Sequence, residues 1–185
     1  KHYIAEMYFL RAKNYLSKLE TFGDFPIIKN TLPDENEPLT QASKREPRHK
    51  VARFILEDLD QTIGLLTNNI SGGKNRITKN AALLLKSRAA LFEASWLTYH
   101  RGTALVPGGS GWPGKAEDIA DFNIDTELAF FLKEAKEAAK EVIGNAALMQ
   151  NTAKDCMDET VKTDEDKYKM SNPYFAQFSA NSLEG

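Results

Sequence analysis

The chain has 185 residues, with 24 Lys and Arg against 26 Asp and Glu and a net charge of −2, so nothing in its balance offers the clustered positive charge that phosphate backbones require. The length suits one domain with a real core, and a compact chain of this size buries roughly 70% of its unfolded surface. The lone cysteine, Cys156, excludes an internal disulfide and a thiolate metal cluster, and it sits among charges with no nearby His to activate it.

Helical spacing begins at once. Ile4, Tyr8, Arg11, Ala12, Tyr15 and Leu19 recur at the period of a helix from about His2 to Thr21, ended by Gly23. No cap and no initiator Met precede it, which reads as a chain cut from something longer, and the want of a leader-like start therefore says nothing about location. Pro26 disfavours helical backbone at Phe25, so residues 24–28 are expected as a short extended arm. Residues 30–44 are polar, carry Pro33 and Pro38, and read as a surface loop. Pro47 suits the first turn of a second helix, Arg48 to Leu66, with an apolar face of Val51, Phe54, Ile55, Leu59, Ile63 and Leu66 and a charged, solvated face opposite. Gly72 and Gly73 mark residues 68–75 as a tight connection.

The stretch from Arg76 to Gly102 is expected to be the hub. Leu83, Leu84, Leu85, Ala89, Ala90, Leu91, Phe92, Trp96 and Leu97 are too dense for one apolar stripe, so this helix should pack on more than one flank. Leu84, Phe92 and Trp96 are accordingly expected to be shielded from water. Thr78 is placed to cap its start and Gly102 to close its end with left-handed backbone. The Ala residues at 81, 82, 89, 90 and 94 allow close approach of neighbouring helices. Lys86 and Glu93 read as one polar edge. Arg88 falls among apolar residues, where a buried guanidinium would need a carboxylate or helix-end carbonyls.

An irregular insertion follows over 103–124, then a further helix from about Thr126 to Ile143, rich in Lys/Glu pairs and ended by Gly144. Residues 145–170 are polar and loosely patterned, and Asn172 and Pro173 are placed to start a last short turn over 174–178. Two helix-connection-helix units with Ala-rich faces predict an all-α fold of tetratricopeptide-like stacked helical hairpins with long irregular loops. They form a single helical-repeat domain over 1–185, with the insertion at 103–124 and irregular chain from 145 to 185.

These residues also carry a family resemblance. AEMYFLRAKNYLSKLETFGDFPII is similar to the pattern Ala-Glu, Phe-Leu-Arg-Ala, then Phe-Gly-Asp-x-Pro-Ile/Leu of the SusD/RagB nutrient-binding outer-membrane lipoproteins of Bacteroidetes. In the family's order come a Pro-started helix ending in ILEDLDQTI, then RITKNAALLLKSRAALFEASW, then KEAKEAAKEVI, together covering about residues 5 to 144. The family's signal peptide, lipid-accepting cysteine, first helices and C-terminal irregular lobe have no counterpart here, so the resemblance implies an internal fragment. It further implies a non-enzymatic, lipid-anchored protein on the surface of the outer membrane, its anchor outside this chain. Such a protein captures glycans or other nutrients and passes them to a TonB-dependent, SusC-like transporter. A cytoplasmic helical-repeat adaptor that binds proteins and no small molecule is the alternative. An upstream signal peptide and acylated Cys separate the two.

Little in the chain competes as chemistry. Gly109-x-Gly111-x-x-Gly114 has the spacing of a dinucleotide fingerprint but follows a helix instead of a strand and carries Pro113 where a helix should begin. His2, His49 and His100 are far apart and lack metal-site spacing. The acidic run Asp155, Asp158, Glu159, Asp164, Glu165 and Asp166 lacks the Gly turn and terminal Glu of a calcium loop. No catalytic group, metal or cofactor is therefore assigned. For ligand binding, Trp112 is the candidate, because a flat ring beside hydrogen-bonding groups suits the C–H face of a sugar. The alternative is that Trp112 folds back as a plug over the helix ends. Trp96 and Tyr99 on the hub helix read as core.

Overall fold

The structure, a computed structural model, describes residues 1–67 and 76–146. The connection at 68–75 and everything from 147 on, including Cys156, the acidic run and the turn at 174–178, lie outside the described residues. The chain forms α1 (His2–Phe22), α2 (Asn36–Ala42), α3 (Arg48–Leu65), α4 (Lys79–Tyr99) and α5 (Ile124–Asn145). Among the described residues the only paired extended backbone is one antiparallel bridge between Phe25 and Glu46. No described helix is long and apolar enough to cross a membrane.

Two antiparallel hairpins stack side by side. In the first, α1 lies along α3: Thr62 donates to the Ala5 carbonyl, Arg11 grips Asp58, and the two helices converge again at Asp24 and Arg48. In the second, α4 lies along α5, with Lys79 on Glu141 and Ser87 donating to the Ala135 carbonyl. The hairpins join where α3 meets α4, tied by Arg48 to Glu93 at one end and Lys86 to Asp60 at the other. This is the all-α, tetratricopeptide-like architecture that the repeated pattern predicts.

The core runs continuously through both hairpins. Ala12, Leu16 and Leu19 of α1 meet Val51, Ile55 and Leu59 of α3, which meet Ala89, Ala90, Ala94 and Leu97 of α4, which meet Phe131 and Ala135 of α5. Burying a side chain such as Ile55 or Leu97 contributes roughly 1.5–3 kcal/mol. The small residues at 82, 89, 90 and 94 are buried where the helices approach, as their size requires.

Several expectations need correction. On α1 the buried row is Ala5, Ala12, Leu16 and Leu19, and Ile4 is 57% exposed. Alanine packs closest because it keeps the helix axes near, and this turns Ile4 outward. The loop at 30–44 contains α2, a solvent-facing helix of 7 residues. Pro47 occupies the N-cap of α3 and not its first turn. The charged side of α3 is solvated only in part: Glu57, Asp60 and Gln61 are exposed, but Arg48, His49 and Asp58 are buried, each beneath a neighbouring element.

On α4, Thr78 caps as expected, its side chain accepting from the Ala81 N–H at 3.1 Å. The helix ends at Tyr99 with His100 as its cap, and Gly102, at φ 78°, turns the chain only afterwards. Lys86 and Glu93 are buried and Arg88 is exposed, the reverse of the expected polar edge. They are buried because each has a partner: Lys86 reaches Asp60 and Glu134, and Glu93 reaches Arg48. Leu84 and Leu91, expected in the core, are 54% and 52% exposed on the outer face that carries Arg88. Phe92 and Trp96 are half-buried, and Tyr99 is exposed. Gly144 does not end α5, which runs through it to Asn145.

Candidate functional site

The site is assembled at the end of the stack where α1 stops, α3 starts and the insertion after α4 folds back. Gly23 takes φ 69°, a left-handed value that glycine adopts without steric cost, and its N–H closes α1 on the Leu19 carbonyl. The chain then leaves as an arm, held where the Ile28 N–H donates to the Tyr15 hydroxyl at 2.9 Å. Asp24 sits at the head of that arm. Its Oδ1 accepts from the first free N–H of α3, at Arg48 (2.8 Å), and its Oδ2 accepts from the indole Nε1 of Trp112 (2.8 Å). One carboxylate thus satisfies a helix start and tethers a loop.

Beneath it lies a buried ion pair. The Arg48 guanidinium meets Glu93 through Nε at 3.0 and 3.2 Å and through Nη2 at 2.7 Å, and neither side chain is more than 2% exposed. The Trp96 ring covers the same guanidinium, 4.3 Å from ring centre to Cζ, as a cation over a π face. Trp96 is fixed in turn by donating to the Leu105 carbonyl at 3.0 Å. Burial pushes the Glu93 carboxyl above its ordinary value, against the opposing pull of Arg48.

The insertion is not a loose loop. Its turns pass through Gly102, Gly108 and Gly111, all with positive φ, and a short 3-10 turn over Ala116–Ile119. Val106 is driven into the core as its anchor. Lys44 pairs with Asp118 at 2.7 Å, a contact that holds the Asp118 carboxyl below its usual range. Phe122 packs on the buried ring of His49, 4.6 Å between centres. His49 is held down to about 4, chiefly by burial, and its Nδ1 has no hydrogen-bond partner among the described residues.

Two hollows open beside Trp112. One, of about 270 Å³, is lined by Phe22, Gly23, Arg45, Arg48, Trp96 and Leu105 among others. The other, of about 280 Å³, is lined by Pro47, Gly114, Lys115 and Asp118. Asp24, Arg45, Trp112 and Pro113 line both. Each has room for about one ring-sized ligand, since drug-sized pockets start near ~300 Å³.

Trp112 is half-buried, combining features of both expectations: it folds back onto Asp24 as a plug would, and it walls two open hollows as a platform would. Gly114 lies so close to the ring that a Cβ there would come within 2.1 Å of it. The three histidines are not brought together: His2 pairs with Glu6, His49 lies under Phe122, and His100 packs on Trp96. The glycines of the G-x-G-x-x-G run serve the turns and the Trp112 contact. Asp24, Arg45, Arg48 and Glu93 were not legible as site residues. The Asp of Phe-Gly-Asp, one residue after a helix-ending Gly, is the signal that points to a cap.

No protein-family model matches the chain, and no curated protein matches it. Among solved structures it is similar to a SusD-like protein from Bacteroides fragilis, with a TM-score of 0.53 and 20% sequence identity over 86% of this chain. The chain spans 24% of that protein's length. The likeness is one of fold: both hold the same stacked helices.

Proposed function

We propose that this chain is the helical scaffold of a cell-surface binding subunit that captures a glycan or other nutrient and delivers it to a TonB-dependent, SusC-like transporter of the outer membrane. The observation that carries the reading is the shared fold with a SusD-like protein, with the tethered Trp112 standing over two hollows at one end of that fold. An aromatic face with hydrogen-bonding groups at its rim matches the alternating apolar and hydroxyl-bearing surfaces of a sugar. The role is binding and not catalysis. Asp24 is spent on a cap and a tether, Glu93 on Arg48 and Asp118 on Lys44, so each of these carboxylates already serves the scaffold.

The test has two parts. The complete reading frame is expected to supply a signal peptide and an acylated Cys upstream of Lys1. Calorimetric titration of the full-length protein with an oligosaccharide panel is expected to show saturable binding. A cytosolic start with no lipidation site overturns the proposal.

A second reading, a helical-repeat adaptor for proteins, is favoured by one observation. Tyr3, Ile4, Met7 and Leu10 are exposed along one side of α1. Such a face suits a helical partner. A soluble protein partner captured through that face, together with silence toward every glycan, would support it.

A further inference from the structure

We propose that the hollow between Trp112 and Pro47 takes a carboxylate-bearing sugar ring, a uronate, with Arg45 as the group that reads the carboxylate. The inference rests on the glycan-binding reading above and narrows it to a chemical class.

The charges around the hollow decide it. Asp118 is matched by Lys44 at 2.7 Å, and Lys115 lies 3.4 Å from Glu117. Asp24 has both oxygens engaged, by the Arg48 N–H and the Trp112 indole. Arg45 is different. It lines both hollows, is exposed, and among the described residues has no carboxylate within ion-pairing distance. Its guanidinium is always charged and presents a planar fork of donors that fits a carboxylate two-pronged.

A neutral sugar would use Trp112 and leave that fork to water. A uronate fills both, since its ring stacks on the indole while the carboxylate on C5 projects from the ring edge to the arginine. The backbone at this edge includes Pro47 and Pro113, whose rings fix φ, and the capped start of α3. Arg45 therefore adds its charge to a surface that is already shaped.

The experiment titrates the full chain with trigalacturonate, with a glucuronate-containing trisaccharide, and with the fully methyl-esterified form of the first, at low and high salt. The acids are expected to bind roughly fivefold or more tighter than the ester, the range of a charge-assisted pair at a partly solvated surface, and salt should erode that preference. In Arg45→Gln the preference should fall to about one, and in Arg45→Lys it should be partly kept. Among the described residues Arg45 makes no hydrogen bond or ion pair, so circular dichroism of both variants should match the parent. Equal affinity for acid and ester, or a preference indifferent to Arg45→Gln, overturns the inference and leaves the glycan reading standing. Silence toward acids, ester and a neutral panel alike overturns both. A preference for one uronate over the other identifies which source the hollow serves.

Discussion

Arg48 of α3 and Glu93 of α4 form a two-pronged ion pair out of water, the most deeply buried of the ion pairs that join one hairpin to the other. Removing one partner leaves the other charge buried and unmatched, which typically costs roughly 3–5 kcal/mol. Glu93→Ala should therefore unfold at much lower urea than the parent. Replacing both as Arg48→Met with Glu93→Leu should recover most of the loss, because an apolar pair of similar volume needs no compensation. If Glu93→Ala costs under about 1 kcal/mol, the pair does not hold the hairpins together.

Asp24 serves two elements at once. Asp24→Ala removes the α3 cap and frees the indole, and should cost about 1–2 kcal/mol. It should also shift the tryptophan emission to longer wavelength as Trp112 gains water. Asp24→Asn keeps an acceptor and should fall between. An unchanged emission maximum would show that the tether does not set the position of the ring.

Trp112→Ala should weaken glycan binding without unfolding the scaffold, since the ring lies outside the continuous core. Gly114→Ala offers a subtler probe, because the added Cβ would come within 2.1 Å of the ring and must displace it. Both variants should lose affinity in calorimetry while keeping their melting temperature within a few degrees of the parent. Unchanged affinity in Trp112→Ala removes this residue from the site.

His49 gives a pH signature. Its folded value near 4 lies below the ordinary 6.5, so the unfolded chain binds the proton more tightly. The contribution is complete above pH 6.5, is lost as pH falls toward 4, and is constant below. At ~1.4 kcal/mol per pH unit this amounts to roughly 3 kcal/mol. Glu6, held at about 2 by Arg76, loses its contribution below its ordinary 4.5, so the two windows meet only at the acid edge of the His49 range. Urea unfolding at pH 7, 5.5 and 4 should show the fall, and His49→Phe should flatten it. Equal slopes in the two proteins would place the titration elsewhere.

Much of the fold is written in spacing. The Ala residues of α4, Thr78 at its start, Gly23 at the end of α1 and the arm around Pro26 all stand where local rules place them, because each acts within a few residues of itself. The misplacements share one cause. Lys86, Glu93, Arg48 and Asp58 look like surface by charge, yet a partner distant in sequence admits each to the interior. Leu84 and Leu91 look like core by hydropathy, yet no described element covers them. Of the candidate site, the sequence points to Trp112 alone, since Asp24 and Arg45 acquire meaning from residues far along the chain.

Four ties cross between the hairpins toward the end that carries the hollows: Arg48 to Glu93, Arg53 to Glu127, Asp24 to Trp112, and Lys44 to Asp118. Any flexing of one hairpin against the other therefore works on the walls of both hollows like the handles of a pair of tongs. If the proposed ligand ring braces Trp112, it loads the same ties that join the two hairpins, so its binding should raise the resistance of the whole stack to unfolding.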